Sequence, residues 1–212
     1  MRVDELHRAV IGDHDVLGRD IAVDDGQEKL LNASVLIVGL GGLGSPVAMY
    51  LAAAGVGHLV LADFDTVDLT NLQRQIVHST ARIGQSKVES AAQTLRELNP
   101  DITITCVAQQ LDDAFLAEYV KQATVVVDCC DNFATRFAVN AACVTYKVPL
   151  VSGAAIRLEG QVSVFDLRNS ESPCYRCLYD ADSEVDLTCS ANGVLDPVVG
   201  VIGSVQALEV LK

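Results

Sequence analysis

The chain of 212 residues sets 28 acidic side chains against 15 basic ones, a formal net charge of −13, and half of its residues are hydrophobic. No basic run offsets the acidity, which excludes duplex nucleic acid and anionic membrane as natural partners. Seven cysteines follow a charged start, Met1-Arg2-Val3-Asp4-Glu5, that lacks the apolar core of a secretory signal, so reduced thiols in a cytoplasmic protein are expected.

One domain over residues 1–212 accommodates the alternation of strand-like and helix-like segments. Residues 1–30 are polar and acidic, with Asp13, Asp15, Asp20, Asp24 and Asp25, and show no periodicity; they read as an arm. From Ser34 a β-branched apolar run, Val35-Leu36-Ile37-Val38, ends in Gly39-Leu40-Gly41-Gly42-Leu43-Gly44 and passes into a helical pattern. Glycines let a backbone approach a ligand, and the free N–H groups of the following helix favour an anion. The same turn also arises where a strand and a helix merely pack closely.

The apolar stretch Val47 to Ala62 is broken by Gly55-Val56-Gly57 and splits into helix, turn and strand rather than a membrane span. That second strand, His58 to Ala62, ends at Asp63, 63 − 39 = 24 residues beyond the first glycine, near the spacing at which a βαβ nucleotide site places its ribose-binding acid. A polar excursion, Asp65 to Gln75, follows at the strand C-termini, where open α/β sheets bind ligands.

Ser86-Lys87-Val88-Glu89 has a capping-box pattern and opens a helix running to Leu98. Lys87 in the first turn opposes the helix dipole unless an anion faces it; otherwise its stem carries the charge to solvent. Ile102–Val107 reads as a third strand, Asp112–Lys121 as a helix and Thr124–Asp128 as a buried fourth strand. Asp128-Cys129-Cys130-Asp131-Asn132 then sets two acids and an amide before a helix, Phe133 to Tyr146, carrying Arg136. This is a place for Mg²⁺ or a polarised leaving group, or for simple N-capping by Asp131 or Asn132.

Val148–Ser152 and Gly160–Phe165 read as fifth and sixth strands, the latter with period-2 alternation, and here the sheet is expected to become mixed. Residues 167–196 form a long cysteine-bearing loop. A helix from Pro197 closes the sequence, with Val198, Val201, Ile202, Val205, Leu208 and Leu211 expected to form its core-facing stripe. The expected fold is a doubly wound, mostly parallel, Rossmann-like α/β sheet, mixed at one edge, with helices on both faces.

The glycine turn, Asp63-Phe64-Asp65, Asn71-Leu72-Gln73-Arg74-Gln75, Lys87, Asp128 to Asn132, Ser152 to Gln161 and Cys174-Tyr175-Arg176-Cys177 together resemble the HesA/MoeB/ThiF family of ubiquitin-activating-type adenylyltransferases. Within it, Ser152 to Gln161 and Leu187-Thr188-Cys189 are most similar to the MoeB branch, ThiF next. The resemblance implies ATP- and Mg²⁺-dependent adenylation of the C-terminal glycine of a small ubiquitin-like sulfur carrier with a Gly-Gly end, MoaD-like or ThiS-like. Molybdopterin or thiamine synthesis would be its setting and a homodimer its assembly.

Carried over by position, the resemblance gives Gly39, Gly41, Gly42 and Gly44 to the nucleotide and Asp63 and Asp65 to its ribose end. Asn71, Arg74, Gln75 and Lys87 fall to the phosphates, and Asp131 with Asn132 to the Mg²⁺ side, Arg74, Lys87 and Asp131 being the catalytic set. Cys174 and Cys177 are similar to half of a structural zinc site whose second pair has no counterpart here; Cys189 is a possible carrier-linked thiol, and Cys106 and Cys143 read as core residues. An arginine-bearing segment ahead of the first strand is replaced by Ile11-Gly12-Asp13-His14-Asp15, with Arg8 and Arg19 flanking it. A catalytically weak carrier-binding member is therefore the alternative, and the glycine turn with Asp63 alone also permits a nicotinamide-dependent oxidoreductase.

Overall fold

The computed structural model describes residues 20–179 and 193–212, with side chains from residue 26 onward. Six strands form one sheet: β1 (Ser34–Val38), β2 (His58–Ala62), β3 (Thr103–Val107), β4 (Val125–Asp128), β5 (Leu150–Ile156) and β6 (Glu159–Phe165). Their order is β3-β2-β1-β4-β5-β6, with β1 to β5 parallel and β6 antiparallel to β5. The chain leaves β1 toward β2 on one side and returns through β4 on the other. The crevice between the C-terminal ends of β1 and β4 is thus the topological switch point, where such sheets bind ligands.

The helices are α1 (Asp20–Asn32), α2 (Gly44–Ala53), α3 (Lys87–Leu98), α4 (Asp113–Gln122), α5 (Phe133–Tyr146), the four-residue α6 (Tyr175–Leu178) and α7 (Asp196–Leu211). Two apolar clusters cover the two faces of the sheet. One joins Ile37, Leu61 and Val127 to Leu51 of α2, Leu95 of α3 and Val199 of α7; the other joins Leu36, Val60 and Val126 to Phe115 of α4 and Val139 of α5. Alternate residues of the central strands feed opposite clusters, as period-2 geometry requires.

Several expectations need correction. The end of the supposed arm is the helix α1, held by backbone bonds from Gly57 N–H to Leu30 O (2.9 Å) and from His58 N–H to Ala33 O (3.1 Å); residues 1–19, with Arg8, Asp13, Asp15 and Arg19, lie outside the described residues. The capping box at Ser86 does not form. Ser86 is bridged to Thr66, and its hydroxyl is buried without a partner among the described residues. The loop 167–196 contains α6 and the start of α7, and Cys189 falls among residues 180–192, outside those described.

The stripe expected on α7 splits. Val198, Ile202 and Leu211 pack on the core, but the buried line is Val199, Gly203, Gln206 and Ala207, while Val201, Val205 and Leu208 face outward. A helix apolar nearly all round gives periodicity no face to choose; burial went to the small Gly203 and to Gln206, whose amide donates to Asp128 O at 2.9 Å. Among the described residues no helix is long and apolar enough to cross a membrane.

Candidate nucleotide site

A cavity of about 660 Å³ opens at the switch point. Its floor is built by two turns pressed together. Gly39 adopts φ +92°, and a Cβ there would stand 2.9 Å from Cys129 O, so the turn after β1 can lie against the turn after β4 only as glycine. Gly39, Gly41 and Gly42 line the cavity. Gly44 does not: a Cβ on it would come to 1.9 Å from Gly39 O, so its place is the close packing of β1 against α2. The N–H groups of Gly41 and Gly42 meet no acceptor among the described residues and stand at the start of α2.

Asp63, at the end of β2, accepts from Leu40 N–H (2.7 Å) and from Asp65 N–H (2.9 Å) and still lines the cavity. Phe64 and, beyond β3, Gln109 to Leu111 extend the same wall; Phe64 was named from sequence only as the middle of the Asp63-Phe64-Asp65 motif, and none of these residues was given a role, because nothing local marks one.

Arg74, Gln75 and Lys87 bring nitrogen donors to the cavity. Arg74 Nη2 is steered by Asn71 Oδ1 at 2.8 Å, so Asn71 stands behind Arg74 and does not line the wall. The Lys87 side chain is only 6% exposed, and its Nζ lies 2.9 Å from Asp65 Oδ2. Solvent does not take this charge; Asp65, itself 50% exposed, supplies the anion that offsets the dipole of α3. Gln75 Oε1 is buried and has no partner among the described residues, an orphaned acceptor at the cavity edge.

Across from these groups the turn after β4 divides its two acids. Asp128 is buried and spoken for: it accepts from Ser152 Oγ (2.7 Å) and Cys130 N–H (3.1 Å) and pairs with Arg136 Nη1 at 3.4 Å. It is therefore not a free ligand. Asp131 is exposed on the cavity wall, and Asn132 caps α5 through Thr135 N–H at 2.9 Å. Arg136 also donates to Gly153 O (2.7 Å) and to Cys130 O, tying β5 to the turn that carries Asp131.

The far half of the cavity is lined by Ala154, Ala155 and Ile156 of β5, Gly160 and Gln161 of β6, Tyr175, Tyr179 and Val194. Tyr175 anchors α6 there through its N–H to Asn140 Oδ1 (2.9 Å) and stacks on Tyr179 at 4.5 Å between centroids. The sulfurs of Cys174 and Cys177 lie 3.7 Å apart. Two thiolates about 2.3 Å from one tetrahedral zinc would be separated by about 3.8 Å, so the pair has the spacing of two ligands of one metal. Burial opposes ionisation of Cys174, yet hydrogen bonds involving Asn140, Cys177 and backbone N–H groups hold its thiol below the ordinary range. Burial instead pushes Cys129 and Cys130 up, Cys143 to about 12 and Cys106 to about 11, leaving them as inert thiols of the core. No group of three or more metal-ligating side chains occurs among the described residues.

A doubly wound sheet with a glycine turn and an acid at its switch point defines a nucleotide-binding α/β protein. The ThiF family model matches residues 16–212, and the chain belongs to that family. It is 57% identical over 188 residues to the molybdopterin-synthase adenylyltransferase of Escherichia coli (strain K12), covering 89% of this chain and 75% of that one. It is 50% identical over 197 residues to the sulfur carrier protein ThiS adenylyltransferase of the same strain, covering 93% and 78%. Among solved structures, E. coli MccB with ATP matches with a TM-score of 0.77 at 29% identity, over 88% of this chain and 57% of that one. The chain thus spans a little over half the length of the MccB chains it matches.

Proposed function

We propose that this chain uses ATP to adenylate the C-terminal glycine carboxylate of a small ubiquitin-like sulfur-carrier protein, releasing pyrophosphate, as a step of molybdopterin or thiamine synthesis. The observation that carries this reading is that one cavity gathers the glycine turn, Asp63, Arg74, Lys87 and Asp131 at one end and an open strand-lined groove at the other. One end suits a nucleotide and the other an extended peptide tail.

In this reading Asp63 accepts from ribose hydroxyls, and the N–H groups after β1 face the phosphates. Arg74 and Lys87 shield their charge, so that a carboxylate oxygen can reach the α-phosphorus. The bond from the α-phosphorus to the bridging oxygen breaks as the acyl-phosphate bond forms, and pyrophosphate leaves with its charge spread over the same cations. Asp131, exposed and without a hydrogen-bond partner among the described residues, fits Mg²⁺, which commonly takes one carboxylate beside substrate phosphates. Bound there, the metal would add to that shielding. Cys174 and Cys177 fit one half of a zinc site. A cytoplasmic setting suits an enzyme dependent on ATP.

A nicotinamide-dependent oxidoreductase would give Arg74, Lys87 and Asp131 nothing to do. Carrier-dependent exchange of labelled pyrophosphate into ATP, run with MoaD-like and ThiS-like carriers, tests the proposal. Exchange with at least one carrier, lost when its terminal Gly-Gly is removed, is the expected result. Carrier binding without exchange would instead establish the catalytically weak reading.

The homodimer belongs to the same proposal. Val201, Val205 and Leu208 of α7 stand exposed beside Tyr50 of α2 and Ile76, a contiguous apolar face of the kind that subunit contacts cover. Leu208→Glu should shift sedimentation from dimer to monomer, and a wild-type protein that sediments as a monomer would count against the assembly.

A further inference from the structure

His78 lies outside the cavity, yet it is buried and bonded to the glycine turn, and the reading above gives it no role. It sits just past the polar connection, 8% exposed, with Nε2 at 3.0 Å from Leu40 O and Nδ1 at 2.9 Å from Ser90 Oγ on α3. A carbonyl oxygen can only accept, so Nε2 carries the hydrogen. Burial, the largest influence on its pKa, holds the ring in the neutral form, so Nδ1 accepts from the Ser90 hydroxyl. One tautomer is thereby selected.

The partner carbonyl matters because of what shares its plane. The Leu40–Gly41 peptide is trans, like every peptide described, so Leu40 C=O and Gly41 N–H point in opposite directions from one rigid unit. Holding the oxygen toward His78 aims the Gly41 N–H the other way, on the residue that lines the cavity, and that N–H has no acceptor among the described residues. The preceding peptide is fixed independently by Leu40 N–H donating to Asp63 Oδ2 at 2.7 Å. Leu40 is thus clamped from both sides, its N–H by the proposed ribose acid and its C=O by His78.

We infer that His78 is the positioning residue of the nucleotide site, setting through the Leu40 carbonyl the direction of the Gly41 N–H that receives a phosphate oxygen. This rests on the reading of the cavity as an ATP site. It assigns His78 to the phosphate side, since its own bond is to the Leu40 carbonyl, whereas the ribose acid Asp63 holds the Leu40 N–H.

Titration of full-length wild type, His78→Phe and His78→Gln with ATP and, separately, with adenosine tests it, thermal unfolding confirming that each variant folds. Phenylalanine fills the ring space without a donor, whereas glutamine can restore one. His78→Phe should lose on the order of tenfold or more in ATP affinity, the value of one hydrogen bond to a charged group, and keep adenosine affinity within about twofold. His78→Gln should recover most of the loss. Equal losses for ATP and adenosine, or no loss in a folded variant, would make His78 a packing residue and overturn the inference. Should His78→Phe not fold, Ser90→Ala removes the second bond that holds the imidazole in place against the Leu40 carbonyl, and a selective loss of ATP affinity is again expected, an unselective one again contrary. A wild type that binds ATP no tighter than adenosine would overturn the phosphate reading itself, and this inference with it; that outcome is distinguishable because it appears before any substitution.

Discussion

Carrier-dependent pyrophosphate exchange is expected to fall roughly 30- to 1,000-fold in Lys87→Ala, about 2–4 kcal/mol of barrier, with thermal stability nearly unchanged. The asymmetry follows from the surroundings. The Lys87 ammonium is shielded from water and held beside Asp65, so its field acts on the cavity at low effective dielectric, where a preorganised donor counts most. Its ground-state partner is half exposed and regains water when the lysine is gone, so the lost ion pair costs the fold less than about 1 kcal/mol. Alanine also suits the first turn of α3 and relieves the dipole opposition. Lys87→Arg should not restore the rate, because a planar fork presents its donors in a different geometry from the point charge of an ammonium. Arg74→Ala should fall in the same range. An unaffected exchange rate in folded Lys87→Ala would remove Lys87 from the chemistry.

Asp131→Ala is expected to abolish exchange to within the assay's reach, a loss on the order of 10³-fold or more, while ATP still binds weakly. The substitution should leave the fold intact, since the exposed Asp131 carboxylate meets no hydrogen-bond partner among the described residues and α5 is capped by the neighbouring Asn132. What disappears is the negative charge facing the cations. The variant should therefore also lose the Mg²⁺-dependent strengthening of ATP binding that the wild type is expected to show. Exchange at wild-type rates would reduce Asp131 to a surface acid.

The sheet was legible because its central strands are short apolar runs ended by glycine or acid, and α5 was legible to the residue because Asn132 starts it and Val148-Pro149 prevents its continuation. What was hidden depends on distant partners. α1 has a diluted apolar stripe, interrupted by acids and Gly26, and is held by the turn after α2. Asp128 and Asp131 are the same residue type three apart, and only the fold shows that Arg136 and Ser152 take one and leave the other. His78 sits in a stretch without periodicity, and its two partners come from the glycine turn and from α3. Asn71 and Gly44 were grouped with the ligand-facing residues by motif, whereas the structure sets them one layer back.

The Arg136 guanidinium grips a carbonyl in the turn beside Asp131 and another on β5, while its charge is balanced by Asp128. Planar and always charged, it cannot stretch, so it works as a spacer of constant length between the nucleotide end and the strand-lined groove. In the proposed reading, a cavity braced in this way would act as a gauge for the carrier tail. Each residue added to an extended tail moves its end by about 3.4 Å, farther than the reach of any attacking oxygen can absorb, so a terminus one residue too long overshoots and one too short falls shy. Selection among carriers would then be made by counting residues from the last ordered contact, and a tail of the wrong length would bind without reacting.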